Sequence, residues 1–181
     1  MARSYKYTVS SGGEIKMIPL VLTVNGSTKN LWEIMDPNDT NNFKSLTTEE
    51  EKIALAIKLQ MFPTEVRVSA ETYSRDADRT ANYELEELVL VNAKAKPEFT
   101  WAYLKYEYAK NLLEECAFKY DYKNTEGEIV PITAPAITVY FNDFIGARTI
   151  NAYLGQSIDG VLEEYNGQLY WRDFRIAFPE R

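Results

Sequence analysis

The stretch Val161-Leu162-Glu163-Glu164-Tyr165-Asn166-Gly167-Gln168-Leu169-Tyr170-Trp171-Arg172-Asp173-Phe174-Arg175-Ile176-Ala177-Phe178 decides the fold. Asn-Gly is the residue pair that best tolerates positive φ at both centres of a type I′ turn, and apolar, strand-forming runs flank it on both sides. The reading is a terminal β-hairpin. A second such pair, Asn25-Gly26, ends the extended run Ile15 to Val24 and predicts a hairpin returning through Leu31, Trp32 and Ile34. Pro19 puts that run at an edge or a bulge, because it has no N–H to give a ladder. Two further runs, Ala136 to Phe141 and Arg148 to Leu154, are separated by Asn142-Asp143 and Gly146.

Between these hairpins the period changes. From Thr64 to Tyr73 the residues alternate, with Val66, Val68 and Ala70 on one face and Arg67, Ser69 and Glu71 on the other, as a half-buried strand requires. Ser74 to Thr80 reads as a charged connection, Tyr83 to Val91 as the next strand, and Lys94 to Pro97 as its close. Phe118, Tyr120 and Tyr122 share one face of a later strand that stops at Asn124-Thr125-Glu126-Gly127, with Glu128 to Thr133 pairing back. Two segments carry helical signals. Thr47 and Thr48 stand three residues before Glu50 and Glu51, the capping-box spacing, and Ile53, Ala54, Ile57 and Met61 make one stripe that Pro63 ends. Thr100 then caps a helix whose positions Trp101, Leu104, Tyr108, Leu112 and Cys116 keep the 3.6 period for about four turns.

Hairpins without βαβ crossovers predict an α+β fold, mainly antiparallel, built as a β-sandwich or partly closed barrel with one long helix and one shorter N-terminal helix. At 181 residues the chain reads as a single domain, 1–181. Residues 1–62 read in one of two ways: as an N-terminal assembly arm, or as a hairpin and helix that cover one face.

Composition excludes whole classes of chemistry. There is no histidine, so no His-based triad, metal site or pH switch exists. The single cysteine, Cys116, permits no intrachain disulfide and sits on an apolar helix face, where a thiol is inert. A net charge of −7 opposes attraction to nucleic acid or anionic membrane, and no run reaches the ~18 apolar residues that span a bilayer. Met1 to Lys6 shows no secretion signal, so synthesis in the cytoplasm is the expectation. The loop Asp36 to Asn42 offers hard oxygen donors, yet Asn41 and Thr47 stand where a calcium loop needs its glycine and its bidentate glutamate. The adjacent acids Glu86/Glu87, Glu114/Glu115 and Glu163/Glu164 cannot converge as a catalytic pair. Neither a phosphate loop nor a dinucleotide fingerprint is present. The reading is therefore no catalytic residue, no cofactor and no metal.

The positive signal is aromatic. Aromatic residues are 13% of the chain and 13 of them are tyrosines, which bury a ring while keeping a hydroxyl hydrogen-bonded and so suit interfaces. Tyr5, Tyr7, Trp32, Tyr103, Tyr106, Arg148, Tyr153, Tyr170 and Trp171 are the candidate interface residues, against ordinary surface packing as the alternative.

The order of features from about residue 66 onward resembles a known pattern. Arg75-Asp76-Ala77-Asp78-Arg79 leads into the run Glu84 to Val91, then come the second helix and the aromatic strand. Phe144-Ile145-Gly146-Ala147-Arg148-Thr149 and the closing run Gly167 to Arg181 follow. In this order the chain resembles small tail proteins of tailed phages from Gram-positive bacteria and of phage-tail-like particles, with the first 65 residues added to that plan. The resemblance implies a virion structural protein of a tail tube, a tail-completion unit or a baseplate, made in the bacterial cytoplasm. Its partners would be copies of itself in a ring and other tail proteins, with no catalytic residues. The competing class is a cytosolic small-ligand-binding module or enzyme with a barrel or sandwich pocket. Rings turned inward around a cavity would favour the pocket, and rings spread over edges and loops would favour assembly.

Overall fold

Buried side chains alternate along Ala95, Pro97, Phe99 and Trp101, so this segment is a strand, and it becomes the spine of the larger of two arrangements around it. A computed structural model describes residues 6–8, 14–16, 20–71, 74–79, 85–90, 94–117, 123–130, 135–143, 146–155 and 157–181. In chain order the elements are β1 (Lys6–Thr8), β2 (Glu14–Lys16), β3 (Val21–Val24), β4 (Ser27–Lys29), α1 (Leu31–Met35), α2 (Glu49–Lys58), β5 (Glu65–Glu71) and β6 (Ser74–Arg79). There follow β7 (Leu85–Leu90), β8 (Lys94–Lys105), α3 (Tyr106–Glu115), β9 (Ile137–Asp143), β10 (Gly146–Ala152), β11 (Asp159–Tyr165) and β12 (Gln168–Ala177).

The strands form two four-stranded sheets, ordered β10-β9-β3-β4 and β11-β12-β8-β5, and two ribbons, β1-β2 and β6-β7. All of these pairings are antiparallel. Leu22, Val139, Phe141 and Ile150 of the first sheet join Phe99, Trp101, Phe174 and Ile176 of the second in one apolar cluster with α1, α2 and α3. This is an α+β fold with antiparallel sheets, as expected. The sheets end in separate edge strands and do not close into a barrel. Each of α2 and α3 has ten residues, so the expected long helix is absent from the described residues.

Polar bonds, one of them buried and the rest partly so, lock the layers. Trp101 Nε1 donates to the Met61 carbonyl at 3.0 Å, and Asn111 Nδ2 donates to the Met35 carbonyl at 2.8 Å. Glu180 joins the two sheets: its Oε2 accepts from the Ala95 amide at 2.7 Å in one, and it holds Arg148 Nη2 at 2.9 Å in the other.

Several boundaries differ from the sequence reading, each for a physical reason. The helix expected from Thr100 starts only at Tyr106, and Trp101 and Leu104 belong to β8. Their three-residue spacing copies a helical turn because the buried parity changes within the strand pair: Trp101 and Leu104 are both fully buried, opposite Phe174 and Trp171. The change falls at Asp173, which has φ +53° and lies where β12 bulges against β11. Thr100 caps nothing; its carbonyl accepts from the Thr64 amide at 2.8 Å. Lys94 to Pro97 is likewise the start of β8, and Ser74–Arg79 is a strand because a two-stranded ribbon can form with charged residues along it.

Leu31, Trp32 and Ile34 lie on α1 and not on a returning strand. Glu33 Oε2 accepts from the Asn30 amide at 2.7 Å and nucleates a helix directly after the short β4, burying Leu31, Trp32, Ile34 and Met35. The run Ile15 to Val24 divides between β2, in a ribbon, and β3, in the first sheet; Pro19 lies outside the described residues. Within residues 20–62, β3 lies between β4 and β9, and Leu20, Leu22, Trp32, Phe43, Ile53 and Phe62 belong to the apolar cluster. Helix α2 has the expected cap, with Thr48 Oγ1 accepting from the Glu51 amide at 3.2 Å. It ends before Pro63 takes effect, because Gln60 at φ +58° lets the Met61 amide reach the Ala56 carbonyl at 3.0 Å.

Candidate interaction surface

The two Asn-Gly turns form as read. Asn25 and Gly26 have φ of 49° and 81°, and Asn166 and Gly167 have φ of 50° and 75°, so both pairs occupy the left-handed region a tight hairpin needs. The second turn brings β11 beside β12 and leaves β11 as an edge strand of its sheet among the described residues. Register then fixes which side chains meet. Glu163 lies opposite Tyr170 and Lys105, Val161 opposite Arg172 and Tyr103, and Tyr165 opposite Gln168, all on one face.

On this face Tyr103 is 47% exposed and Tyr165 71% exposed, values far from those of core rings. Together with Tyr170, Gln60, Glu163 and Glu164 they line an open cleft of about 450 Å³. Arg172 Nη1 pairs with Glu163 at 2.7 Å, and the Tyr170 hydroxyl donates to Gln168 Oε1 at 3.0 Å. Lys105 turns its ammonium over the Tyr108 ring, 5.5 Å from its centre. Behind the cleft Trp171 packs on the core and stacks with Tyr106, ring centres 6.3 Å apart. Thus Tyr103, Tyr106, Tyr170 and Trp171, four of the candidates, gather around β8 and β12.

The other candidates scatter. Trp32 is buried, stacked on Phe43 at 5.9 Å, and so is held in the core and not at the surface. Arg148 is committed to Glu180. Tyr153 is exposed just past β10, away from the cleft lining. Tyr5 lies outside the described residues, as do Phe118, Tyr120 and Tyr122; of Tyr7 only the backbone, in β1, is described. Sequence reading missed Val161, Leu162, Tyr165 and Leu169, all exposed on the terminal hairpin. Their signal was present: apolar residues at successive positions of one strand cannot all turn to the same core.

Two other features have structural occupations. Asp36 is buried and accepts from the Thr40 amide and hydroxyl and from the Asn41 amide and Nδ2, at 2.8–3.0 Å. Burial works to raise its pKa, yet these four bonds together hold the carboxyl below the ordinary aspartate value. Its oxygens therefore serve the loop itself. Burial pushes the Cys116 thiol up to about 12, which keeps it protonated and unreactive. Among the described residues, no three Cys, Asp or Glu side chains gather where they could hold a metal ion, and none of the helices is long and apolar enough to cross a membrane. Compared with known proteins, the chain matches no family model, no curated protein sequence and no solved structure.

Proposed function

We propose that the protein is a structural subunit of a phage tail or a phage-tail-like particle, serving as a tail-tube, tail-completion or baseplate component. It assembles into rings with its own copies and with other tail proteins through exposed strand edges and aromatic side chains. The reading assigns it no catalytic role and no cofactor, and places it in the virion after synthesis in the bacterial cytoplasm. One observation carries it: among the described residues β11 is an edge strand, and it exposes Val161, Leu162 and Tyr165. Proteins that work as monomers blunt or cover such edges, because a free row of N–H and C=O groups beside apolar side chains invites another chain. Tyr165 is exposed on that edge strand and Tyr103 two strands in from it, and both line an open cleft and not an enclosed cavity, which favours assembly over the small-ligand pocket.

Light scattering on purified full-length protein across a concentration series, followed by negative-stain microscopy, tests the reading. Discrete closed rings or stacked tubes are the expected result. A species that stays monomeric at every concentration overturns it and leaves the ligand-binding module in its place.

A further inference from the structure

The two Asn-Gly turns are reactive groups as well as conformational ones. An asparagine carboxamide is attacked by the main-chain nitrogen of the next residue most readily when that residue is glycine, which has no side chain to shield the nitrogen. Asn25, Gly26, Asn166 and Gly167 are all exposed, and a Cβ placed on either glycine would meet nothing within 4 Å, so solvent reaches both turns. What differs is the hold on the asparagine. The Asn25 amide donates to the Ala136 carbonyl at 2.9 Å, and its Oδ1 accepts from the Ala136 amide at 3.3 Å. Among the described residues the Asn166 carboxamide has no hydrogen-bond partner, and its turn lies beyond Tyr165 and Gln168, the last pair of the ladder. Ring closure requires the Asn-Gly peptide to turn out of its left-handed hairpin orientation, so the turn must open first. At Asn25 that opening breaks both bonds to Ala136, and at Asn166 no such tie stands in the way.

We propose that Asn166-Gly167 is a site of self-modification, at which the exposed hairpin converts its asparagine to aspartate and isoaspartate while Asn25-Gly26 is held back. The proposal is independent of reading this surface as a subunit contact. Water is the one co-reactant. The Gly167 nitrogen gives up its proton to water or hydroxide and bonds to Asn166 Cγ; the Cγ–Nδ2 bond breaks, and Nδ2 takes up a proton and leaves as ammonia. Water then opens the resulting succinimide at one of its two carbonyls. Breaking the bond from nitrogen to Cγ gives aspartate, and breaking the bond from nitrogen to the main-chain carbonyl carbon gives isoaspartate. Nothing is oxidised or reduced. Either product adds a negative charge to a chain already at −7. Isoaspartate also routes the main chain through its Cβ, one atom more than a two-residue turn accommodates, and so weakens the pairing of Tyr165 with Gln168 beside it.

The test incubates the full-length protein in warm, mildly alkaline buffer made with heavy-oxygen water, then digests it in ordinary water and maps the peptides by mass spectrometry. Heavy oxygen marks conversions that occurred in the intact protein and not during digestion. Labelled aspartate and isoaspartate are expected at position 166, formed about tenfold faster than at position 25, because two hydrogen bonds of ordinary net strength hold the second site closed. The same incubation in concentrated urea removes those bonds, and the two sites should then react at similar rates. Equal rates in the folded protein, or faster reaction at Asn25, overturn the proposal. So does an unlabelled Asn166 in folded protein that labels in urea, since the turn itself would then be protective. A rate ratio that persists in urea also overturns it, because neighbouring side chains and not the fold would set the difference. The isoaspartyl form, separated by ion exchange, should unfold at lower urea than Asn166→Asp, which carries the same charge without the longer chain. Equal midpoints for these two overturn the effect on the hairpin.

Discussion

Hairpins β3-β4 and β11-β12 close with the same dipeptide and nearly the same backbone angles, and each sets an inner strand beside an edge strand, so the inner strand of one and the edge strand of the other show what the shared turn leaves open. In β3, Leu22 and Val24 are buried, and the strand is gripped on both sides by β4 and β9. In β11, Val161, Leu162 and Tyr165 are exposed, and the outer side has no partner strand among the described residues. The turn therefore determines that two strands meet and says nothing about what else they touch. Burial separates a strand that holds the fold from one that is available to another molecule.

The largest effect should come from emptying the buried strand β3. Leu22→Ala is expected to cost about 2–5 kcal/mol, because Leu22 is fully enclosed and the sheet around it cannot collapse into the space. Urea denaturation of that variant beside Leu162→Ala makes the comparison direct, and similar midpoint losses for the two would break it. Next come the turns themselves. Gly26→Val and Gly167→Val should each cost about 1–3 kcal/mol through strain at positive φ, since a side chain at either glycine meets no atom within 4 Å. Equal shifts in denaturation midpoint would establish that the turns are interchangeable and that the strands alone differ.

A smaller effect is expected in the loop that follows the first hairpin and α1. Asp36 has a folded pKa below its ordinary 3.8, so its contribution is fully present above that value and is lost as pH falls through the folded pKa. Stability measured against pH should drop less steeply on the acid side in Asp36→Asn than in wild type. Parallel acid limbs for the two proteins would show that the four bonds contribute nothing. The smallest effect on stability belongs to the exposed hairpin. Leu162→Ala should stay within about 0.5 kcal/mol of wild type in denaturation while reducing ring or tube formation in scattering, which separates a surface role from a core role.

Much of this architecture is legible in the residues. Both Asn-Gly turns, the Thr48 cap, the alternation through Val66 and Val68, and the β9-β10 and β11-β12 pairs follow from local chemistry that the rest of the chain does not override. Trp101 and Leu104 mislead because a strand whose buried parity switches and a helix share a three-residue spacing, and only the partner strand distinguishes them. Leu31 to Met35 mislead because five apolar-rich residues satisfy either geometry, and the Glu33 bond to the Asn30 amide selects the helix. Of the candidate surface, the tyrosines on β8 and β12 were legible as aromatic excess. Trp32 was not, because its burial depends on Phe43 and Phe62, which reach it from other elements.

Asp173 bears on how strong any one contact at β11 can be. Its left-handed backbone offsets β11 from β12 between Asp159 and Val161, so the straight part of the free edge is only the five residues 161–165. A visiting strand meets a short landing and then a step. One such landing holds weakly and releases easily, which lets a misplaced neighbour leave. Durable attachment must come from many landings engaged together, since linked sites raise avidity without any new contact. In the proposed assembly, the offset would favour reversible trial of each subunit before the finished structure becomes permanent.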